Sequence, residues 1–302
     1  MKTQTHFDVI IIGRSYSGLA AGLALGRALR KVLIIDSGNP CNAQTPHSHN
    51  FLTRDGETPV AIAAQGRKQL EQYSSVSFLN GTAIKAVRTD EGFEVEASSG
   101  EVFVAVKLLF ATGIRDMLLN IDGLADCWGI SALHCPFCHG YEVRNQKTGI
   151  IGNGNDAYEL TSLISNWTNE LTILTNGPAT LILEQTAKLY AHHIGIVEKP
   201  IIRLQHDNGY LHHIQFIDGS EVALSAAYIR SPFRQACPLP ELLGCALNHE
   251  GYIQVDSAQA TSIPGVFACG DNTTKTRTVA NAVSSGTTAG MAISRQLIAE
   301  QF

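Results

Sequence analysis

The chain has 302 residues, 44% of them apolar and 16% charged, and carries a net charge of −5 at neutral pH. That length builds one large domain or two ordinary ones with ample core, and the mildly acidic balance offers nucleic acid no basic surface. No apolar run reaches the ~18 residues that a membrane span needs. A strand pattern begins almost at once in MKTQTHFDVIIIG, so the expectation is a cytoplasmic protein without a leader peptide and off the membrane. Seven cysteines stand at 41, 127, 135, 138, 237, 245 and 269. Their odd number and irregular spacing argue against a disulfide-stapled secreted domain, and most are expected as buried apolar thiols.

Residues 7–36 read FDVIIIGRSYSGLAAGLALGRALRKVLIID. The apolar run Val9 to Ile12 ends at Gly13, a small-residue helix pattern runs from Gly18 to Leu29, and a second run, Val32 to Ile35, ends at Asp36. Strand, tight turn, helix and strand, closed by an acid, is the Rossmann plan. Gly13 makes the turn, Gly18 lets helix pack on strand, and the helix N-terminus faces a pyrophosphate. Asp36 takes a ribose hydroxyl. Ser15 stands in place of the middle glycine and is small enough for close backbone approach.

The stretch ALHCPFCHGYEV, residues 132–143, holds a Cys-x-x-Cys pair, Cys135 and Cys138, flanked by His134 and His139. Two intervening residues let the sulfurs reach disulfide geometry, and a helix N-terminus there would lower the pKa of one thiol. A metal reading needs four ligands. These four residues stand too close together to close one tetrahedral ion, and no second Cys-x-x-Cys exists, so no metal is expected. Trp128 and Phe137 flank the loop and are expected to pack an interface.

Residues 149–174 repeat the Rossmann plan in GIIGNGNDAYELTSLISNWTNELTIL. Gly152, Gly154 and Ala157 take the G-x-G-x-x-A positions and Leu171–Leu174 forms the second strand. No acid follows Leu174, and the next basic residue is Lys188. A nicotinamide site and a Rossmann-like unit that holds no NAD(P) both remain open. Residues 208–222 read as an antiparallel hairpin. Last, IPGVFACGDNTTKTRTVANAVSSGTTAGMAISRQL, residues 263–297, runs a short strand into Gly270-Asp271 and starts a helix near Thr278. The acid can hydrogen-bond a polyol, and the helix dipole can stabilise negative charge on a reduced ring.

Together, GRSYSG with Asp36, ATG at 111–113, CPFC at 135–138, GNGNDA at 152–157 and GVFACGD at 265–271 resemble the low-molecular-weight thioredoxin reductase family of flavoproteins, over nearly the whole chain. The wording CPFCHGYE resembles the branch with fungal and bacterial dithiol oxidases and reductases divergent in NADPH use. The resemblance implies an α/β fold of two Rossmann-like, three-layer nucleotide-binding domains, the second inserted in the first. The FAD-binding domain would be 1–117 with 246–302, and the inserted dithiol and NAD(P)-type domain 118–245. It implies FAD contacts at Gly13, Ser15, Tyr16, Ser17, Gly18, Asp36, Ser37, Asn42, Gln44, His49, Asn50, Ala83, Ala111, Thr112, Gly113, Gly270 and Asp271. Thr278 and Val279 would face the pyrimidine edge of the isoalloxazine, and Phe233 and Arg234 would line its approach. A homodimer is implied as well. Cys138 would face the flavin and Cys135 the partner's disulfide.

Three departures bear on function. The HRRxxxR cluster of NADPH-using members is absent, which puts NADPH in doubt and admits ferredoxin or a second FAD as donor. His139 stands where many members carry an acid, so His139, ahead of His134, is the expected proton carrier for a catalytic set Cys135, Cys138 and His139. The segment TPHSHNFLTRDG carries extra histidines. The expected activity is a flavin-dependent exchange of electrons between Cys135–Cys138 and a thioredoxin-like protein or a small-molecule disulfide or dithiol. The alternative direction is a dithiol oxidase with oxygen as acceptor, and a third reading is a non-enzymatic flavoprotein, against which the intact pair argues.

Overall fold

The structure, a computed structural model, describes residues 5–302. Its chain divides into two compact units, 1–43 with 50–115 and 233–302, and 44–49 with 116–232. The chain thus crosses at 116 and 233, where the sequence points to 118 and 246, and a six-residue piece of the first stretch goes with the second unit.

The first unit opens with β1 (Thr5–Ile12), α1 (Tyr16–Arg27) and β2 (Val32–Asp36), followed by α2 (Pro59–Leu70), β3 (Val76–Asn80), β4 (Ala83–Thr89), β5 (Gly92–Ala97), β6 (Val102–Phe110) and β7 (Ile114–Asp116). Its sheet runs β3-β2-β1-β6-β5-β4. The first four strands are parallel, β4 and β5 antiparallel. Parallel strands are covered on both faces and so read as continuous apolar runs. In β1, Ile10 and Ile12 enter one core cluster, Val9 and Ile11 the other. α1 covers the second face with Leu19, Ala21 and Leu25, while β4 and β5 close the first with Ala86, Phe93 and Val95.

The second unit holds α3 (Leu124–Cys127), β8 (Ala132–Leu133), α4 (Pro136–His139), β9 (Thr148–Ile151), α5 (Gly154–Ile164), β10 (Leu171–Leu174), α6 (Leu183–Ala191), β11 (Gly195–Val197), β12 (Ile201–Asp207), β13 (Tyr210–Phe216), β14 (Glu221–Ala223) and β15 (Ala226–Ile229). A parallel sheet, β11-β10-β9-β15-β8, carries α5 and α6 on one face through Leu160, Ile164 and Leu189. The antiparallel sheet β12-β13-β14 covers the other through Leu204, Leu211 and Ile214. The expected hairpin at 208–222 is β13 and β14.

The chain returns to the first unit at β16 (Phe233–Gln235), which pairs with β7, then α7 (Leu239–Leu242), β17 (Val266–Ala268) and α8 (Val279–Gln301). This early return is what moves the boundary from 246 to 233: the ring of Phe233 lies 4.5 Å from that of Tyr252 in the same unit. β6 is shared along its length. Its first half pairs with β5, its second with β17, Leu108 to Phe110 against Val266 to Ala268. Each unit therefore has three layers, helices on one face of a parallel sheet and antiparallel strands on the other. Among the described residues, no helix is long and apolar enough to cross a membrane.

Candidate active site

In open parallel sheets, ligands sit beyond the carboxyl ends of the strands. In the first unit, four chain segments meet there: Gly13 after β1, Asp36 ending β2, Ala111-Thr112-Gly113 after β6, and Gly270-Asp271 after β17. Gly13 has φ +105°, and a Cβ on it would stand 2.3 Å from the carbonyl oxygen of Ala111. Only glycine brings β1 and β6 this close. Gly18 is equally forced, since its Cβ would stand 2.0 Å from the Gly13 oxygen. The side chain of Ser15, the N-cap of α1, makes no capping hydrogen bond.

Asp36 is held ready from two sides. Its carboxylate accepts the Arg14 N–H at 2.8 Å and the Gly38 N–H at 2.9 Å. The Arg14 guanidinium lies 3.7 Å away. A carboxylate has about four lone-pair sites, so it retains room for a hydroxyl. Asp271 is set by Arg277 at 3.8 Å. Behind it, fully buried Asn272 donates to the Phe110 carbonyl at 2.9 Å, while its Oδ1 finds no donor among the described residues. Thr278 caps α8 by accepting the Asn281 N–H. The residues present thus fit an extended dinucleotide: a glycine turn at an uncapped helix start, a ribose-height acid, and a second acid with an orphaned acceptor behind it.

Six of the expected contact residues are placed as follows. The Tyr16 ring packs with Ile62 and Ala282, its hydroxyl accepting from Asn42 at 3.2 Å. Ala83, at the start of β4, has its side chain in the core and offers only backbone. Gln44 and His49 fall in the second unit, while Ser37 and Asn50 are exposed loop residues of the first. The sequence reading missed Arg14 and Asn272, although both lie within the quoted motifs next to residues it named.

In the second unit, Cys135 and Cys138 form a disulfide, with Cα atoms 5.3 Å apart. Cys135 is the N-cap of the one-turn α4, and its Sγ accepts the Cys138 N–H at 3.2 Å. Both are half-buried, while Phe137 between them is 62% exposed and meets Trp167 edge-on at 5.5 Å. Trp128 is buried and stacks on His134 at 5.8 Å. His139 lies 6.5 Å from the His49 ring, and His49 Nε2 lies 3.5 Å from Glu142 Oε1. Burial pushes the His139 pKa below the ordinary histidine value. Glu142 pulls it back up and His49 adds to the lowering. Glu142 was not singled out from the sequence; its place in HGYE, three residues after His139, was the available signal.

The other thiols differ. Cys127, Cys237, Cys245 and Cys269 are buried, and burial raises the pKa of each, for Cys269 up to about 12. Cys41 alone among the free cysteines is exposed. No group of three metal-ligating side chains occurs among the described residues.

Beyond the strand ends of the second unit lies a glycine turn of a different build. Asn153 caps α5 through its side chain. Its Oδ1 accepts from Gly154 N at 2.8 Å, Thr180 N at 2.8 Å and Thr180 Oγ1 at 3.1 Å. Asn176, after β10, accepts the Ile201 N–H at 2.7 Å. Arg230, after β15, pairs with Asp156 at 3.2 Å and Glu159 at 3.3 Å.

A nucleotide-type cradle in one Rossmann-type unit and a redox disulfide in another define a dinucleotide-dependent disulfide oxidoreductase. A family model described as pyridine nucleotide-disulphide oxidoreductase matches residues 7–286. The chain is 33% identical to the thioredoxin reductase tcpT of Claviceps purpurea, over 99% of this chain and 97% of that one. It is similar to the TrxB crystal structure from Bacillus anthracis, at 30% identity and a TM-score of 0.94, covering 98% of this chain and 100% of that one. It is also similar to an oxidoreductase from Agrobacterium tumefaciens, at 35% identity and a TM-score of 0.91, covering 97% and 99%. The chain belongs to the pyridine nucleotide-disulphide oxidoreductase family, in its low-molecular-weight thioredoxin reductase-like group of flavin disulfide oxidoreductases. The family implies FAD.

Proposed function

We propose that this enzyme passes electrons between FAD, the Cys135–Cys138 pair and an external disulfide or dithiol, and that NADPH is not its donor. The observation that carries the second half is the end of β10. Thr175, Asn176 and Gly177 follow Leu174, with neither an acid for an NAD ribose nor a base for an NADP 2′-phosphate, and Asn176 is already committed to the Ile201 N–H.

FAD is assigned to Gly13, Ser15, Gly18, Asp36, Ala111 to Gly113, Gly270 and Asp271, with Thr278 and Val279 at the start of α8. Tyr16, Ser17, Asn42, Gln44, His49, Asn50, Ser37 and Ala83 are assigned to its surroundings. Bound there, it supplies a two-electron store. The protein's own part is thiol chemistry. An external dithiol attacks the disulfide at Cys135, a mixed disulfide forms, and the second external thiol closes its own S–S bond while Cys135 and Cys138 leave as thiols. Two electrons and two protons have then moved from the external dithiol to the pair. His139, neutral near pH 7 because burial lowers its pKa, takes the Cys138 proton and leaves a thiolate, from which a bound flavin would accept electrons. Run backwards, the same steps reduce an external disulfide.

The relative in Claviceps purpurea is called a thioredoxin reductase, which supports a thioredoxin-like partner. With no nicotinamide donor, three sources of electrons are left: a protein such as ferredoxin or a second flavin for a reductase, or the external dithiol itself for an oxidase that delivers electrons to oxygen. The test is anaerobic titration of the yellow protein with NADPH, NADH and then dithiothreitol, following flavin absorbance. Bleaching by dithiothreitol alone is expected; stoichiometric bleaching by NADPH would sink the proposal.

A further inference from the structure

The family's second Rossmann unit implies a bound dinucleotide, and in this chain the residues at that place do not fit one. We infer that Asn153 supplies from within the protein the oxygen that a pyrophosphate would bring, so that neither a nicotinamide nor a second FAD enters this unit. The inference rests on the NADPH-independent reading and deepens it, because it also removes the second flavin as a source of electrons.

A pyrophosphate binds at a helix start by placing an oxygen about 2.9 Å from the first free N–H groups. At α5 the Gly154 N–H is taken by Asn153 Oδ1 at 2.8 Å. That oxygen also receives Thr180 N and Thr180 Oγ1, so its acceptor capacity is filled. The Asn153 Nδ2 donates to the Pro178 carbonyl at 2.8 Å. One side chain therefore fastens 178–180 across the glycine turn. A Cβ on Gly154, which has φ +59°, would stand 2.9 Å from Thr180 Oγ1, so the space beside the turn that a phosphate would use is lined by this loop.

Charge points the same way. Asp156 lies in the first turn of α5 and Glu159 one turn on, and Glu198, just after β11, accepts the Ala179 N–H at 2.7 Å. Against these three carboxylates stands one guanidinium, Arg230, already paired with two of them. A pyrophosphate would meet net negative charge at the helix end where the macrodipole should attract it. The first unit does the reverse: Ser15 makes no capping bond at α1, and the helix start is left for a ligand.

The test separates this inference from the reading beneath it by using a ligand without redox chemistry. Calorimetric titration of the flavin-loaded protein with ADP-ribose and its 2′-phosphate should give no saturation up to ~1 mM. Acid release of flavin should give about one FAD per chain, the number the first unit alone holds. The double variant Asn153→Gly, Thr180→Ala, checked for retained flavin and circular dichroism, should gain binding of ADP-ribose by ~10-fold or more. Saturable binding to the unaltered protein, or close to two flavins per chain, overturns the inference, and so does a folded double variant that gains nothing. Should the double variant not fold, the flavin count and the titration of the unaltered protein still decide. ADP-ribose binding without NADPH bleaching would sink this inference and leave the proposed function standing; NADPH bleaching without ADP-ribose binding would do the opposite.

Discussion

His139 is pulled in opposite directions by its surroundings, and that makes its role measurable. Burial is the largest influence and lowers its pKa, Glu142 raises it, and His49 lowers it again. The neutral ring, the form proposed to accept the thiol proton, is present above this depressed pKa and is lost as pH falls through it. Flavin bleaching by dithiothreitol should therefore fall on the acid side with an apparent pKa under the ordinary histidine value. Glu142→Gln removes the raising influence and should move that limb to lower pH; His49→Asn removes a lowering influence and should move it to higher pH. His139→Asn should slow bleaching by ~100-fold, the low end for loss of a general base. Stopped-flow pH profiles of the three variants check all of this, and an unmoved acid limb in both neighbour variants would take His139 out of the reaction. His139 is proposed as the proton carrier beside the cysteine pair, which is closed as a disulfide and was legible from the sequence because its spacing is local. The pairing of His49 with Glu142 was not, since it joins residues 93 positions apart (142 − 49).

Among the elements, the contact between α1 and α8 is made by backbone rather than by side chains. A Cβ on Gly286 would stand 2.1 Å from the Ser17 carbonyl oxygen, and one on Gly290 2.7 Å from that of Ala21. Ser17 in turn lies against Gly270, whose Cβ would be 2.6 Å from its hydroxyl. Filling this seam pushes α8 away from the turn that carries Asp271. Gly286→Val should cost about 2 kcal/mol and lower the melting midpoint by roughly 4–8 °C, with a matching loss of bound flavin. Ser284→Ala, exposed on the same helix, should stay within ~0.5 kcal/mol. Equal flavin content in the two variants would mean that the seam does not position the cradle. The small residues of α1 and α8 and the start of α8 at Thr278 could be read in advance, because glycine spacing and a capping threonine are local signals. The crossing at 233 could not, because β7 and β16 are three residues each and owe their existence to each other. Residues 44–49 were likewise illegible: Gly129, whose Cβ would stand 2.9 Å from Thr45 Oγ1, gives no sign in sequence of the partner it makes room for.

Across the whole molecule, two units of one plan have opposite helix starts, one uncapped at Ser15 and one closed by Asn153. A ligand stabilises only the state that holds it, by about 2.7 kcal/mol when present at 100 times its dissociation constant, so amides that exchange by local opening at its site slow by ~100-fold. Hydrogen exchange of flavin-loaded against flavin-stripped protein should thus slow at 13–18, 36–38, 111–113 and 270–272, all in the first unit. It should be unchanged at 152–156 and 175–182, where Asn153 accepts the Gly154 and Thr180 N–H groups in both preparations. Both turns follow the Rossmann plan, the first with Ser15 in place of the middle glycine, and the plan with no charged residue after Leu174 left a nicotinamide and a second flavin open in the sequence. What separates them is where an amide side chain points, a property of the folded loop at 178–180 rather than of G-x-G-x-x-A. Protection appearing at 152–156 on flavin loading would place a second dinucleotide there and return the electron donor to that unit. Protection confined to the first unit leaves the thiols of Cys135 and Cys138, or a protein that reaches the flavin itself, as the ways electrons enter.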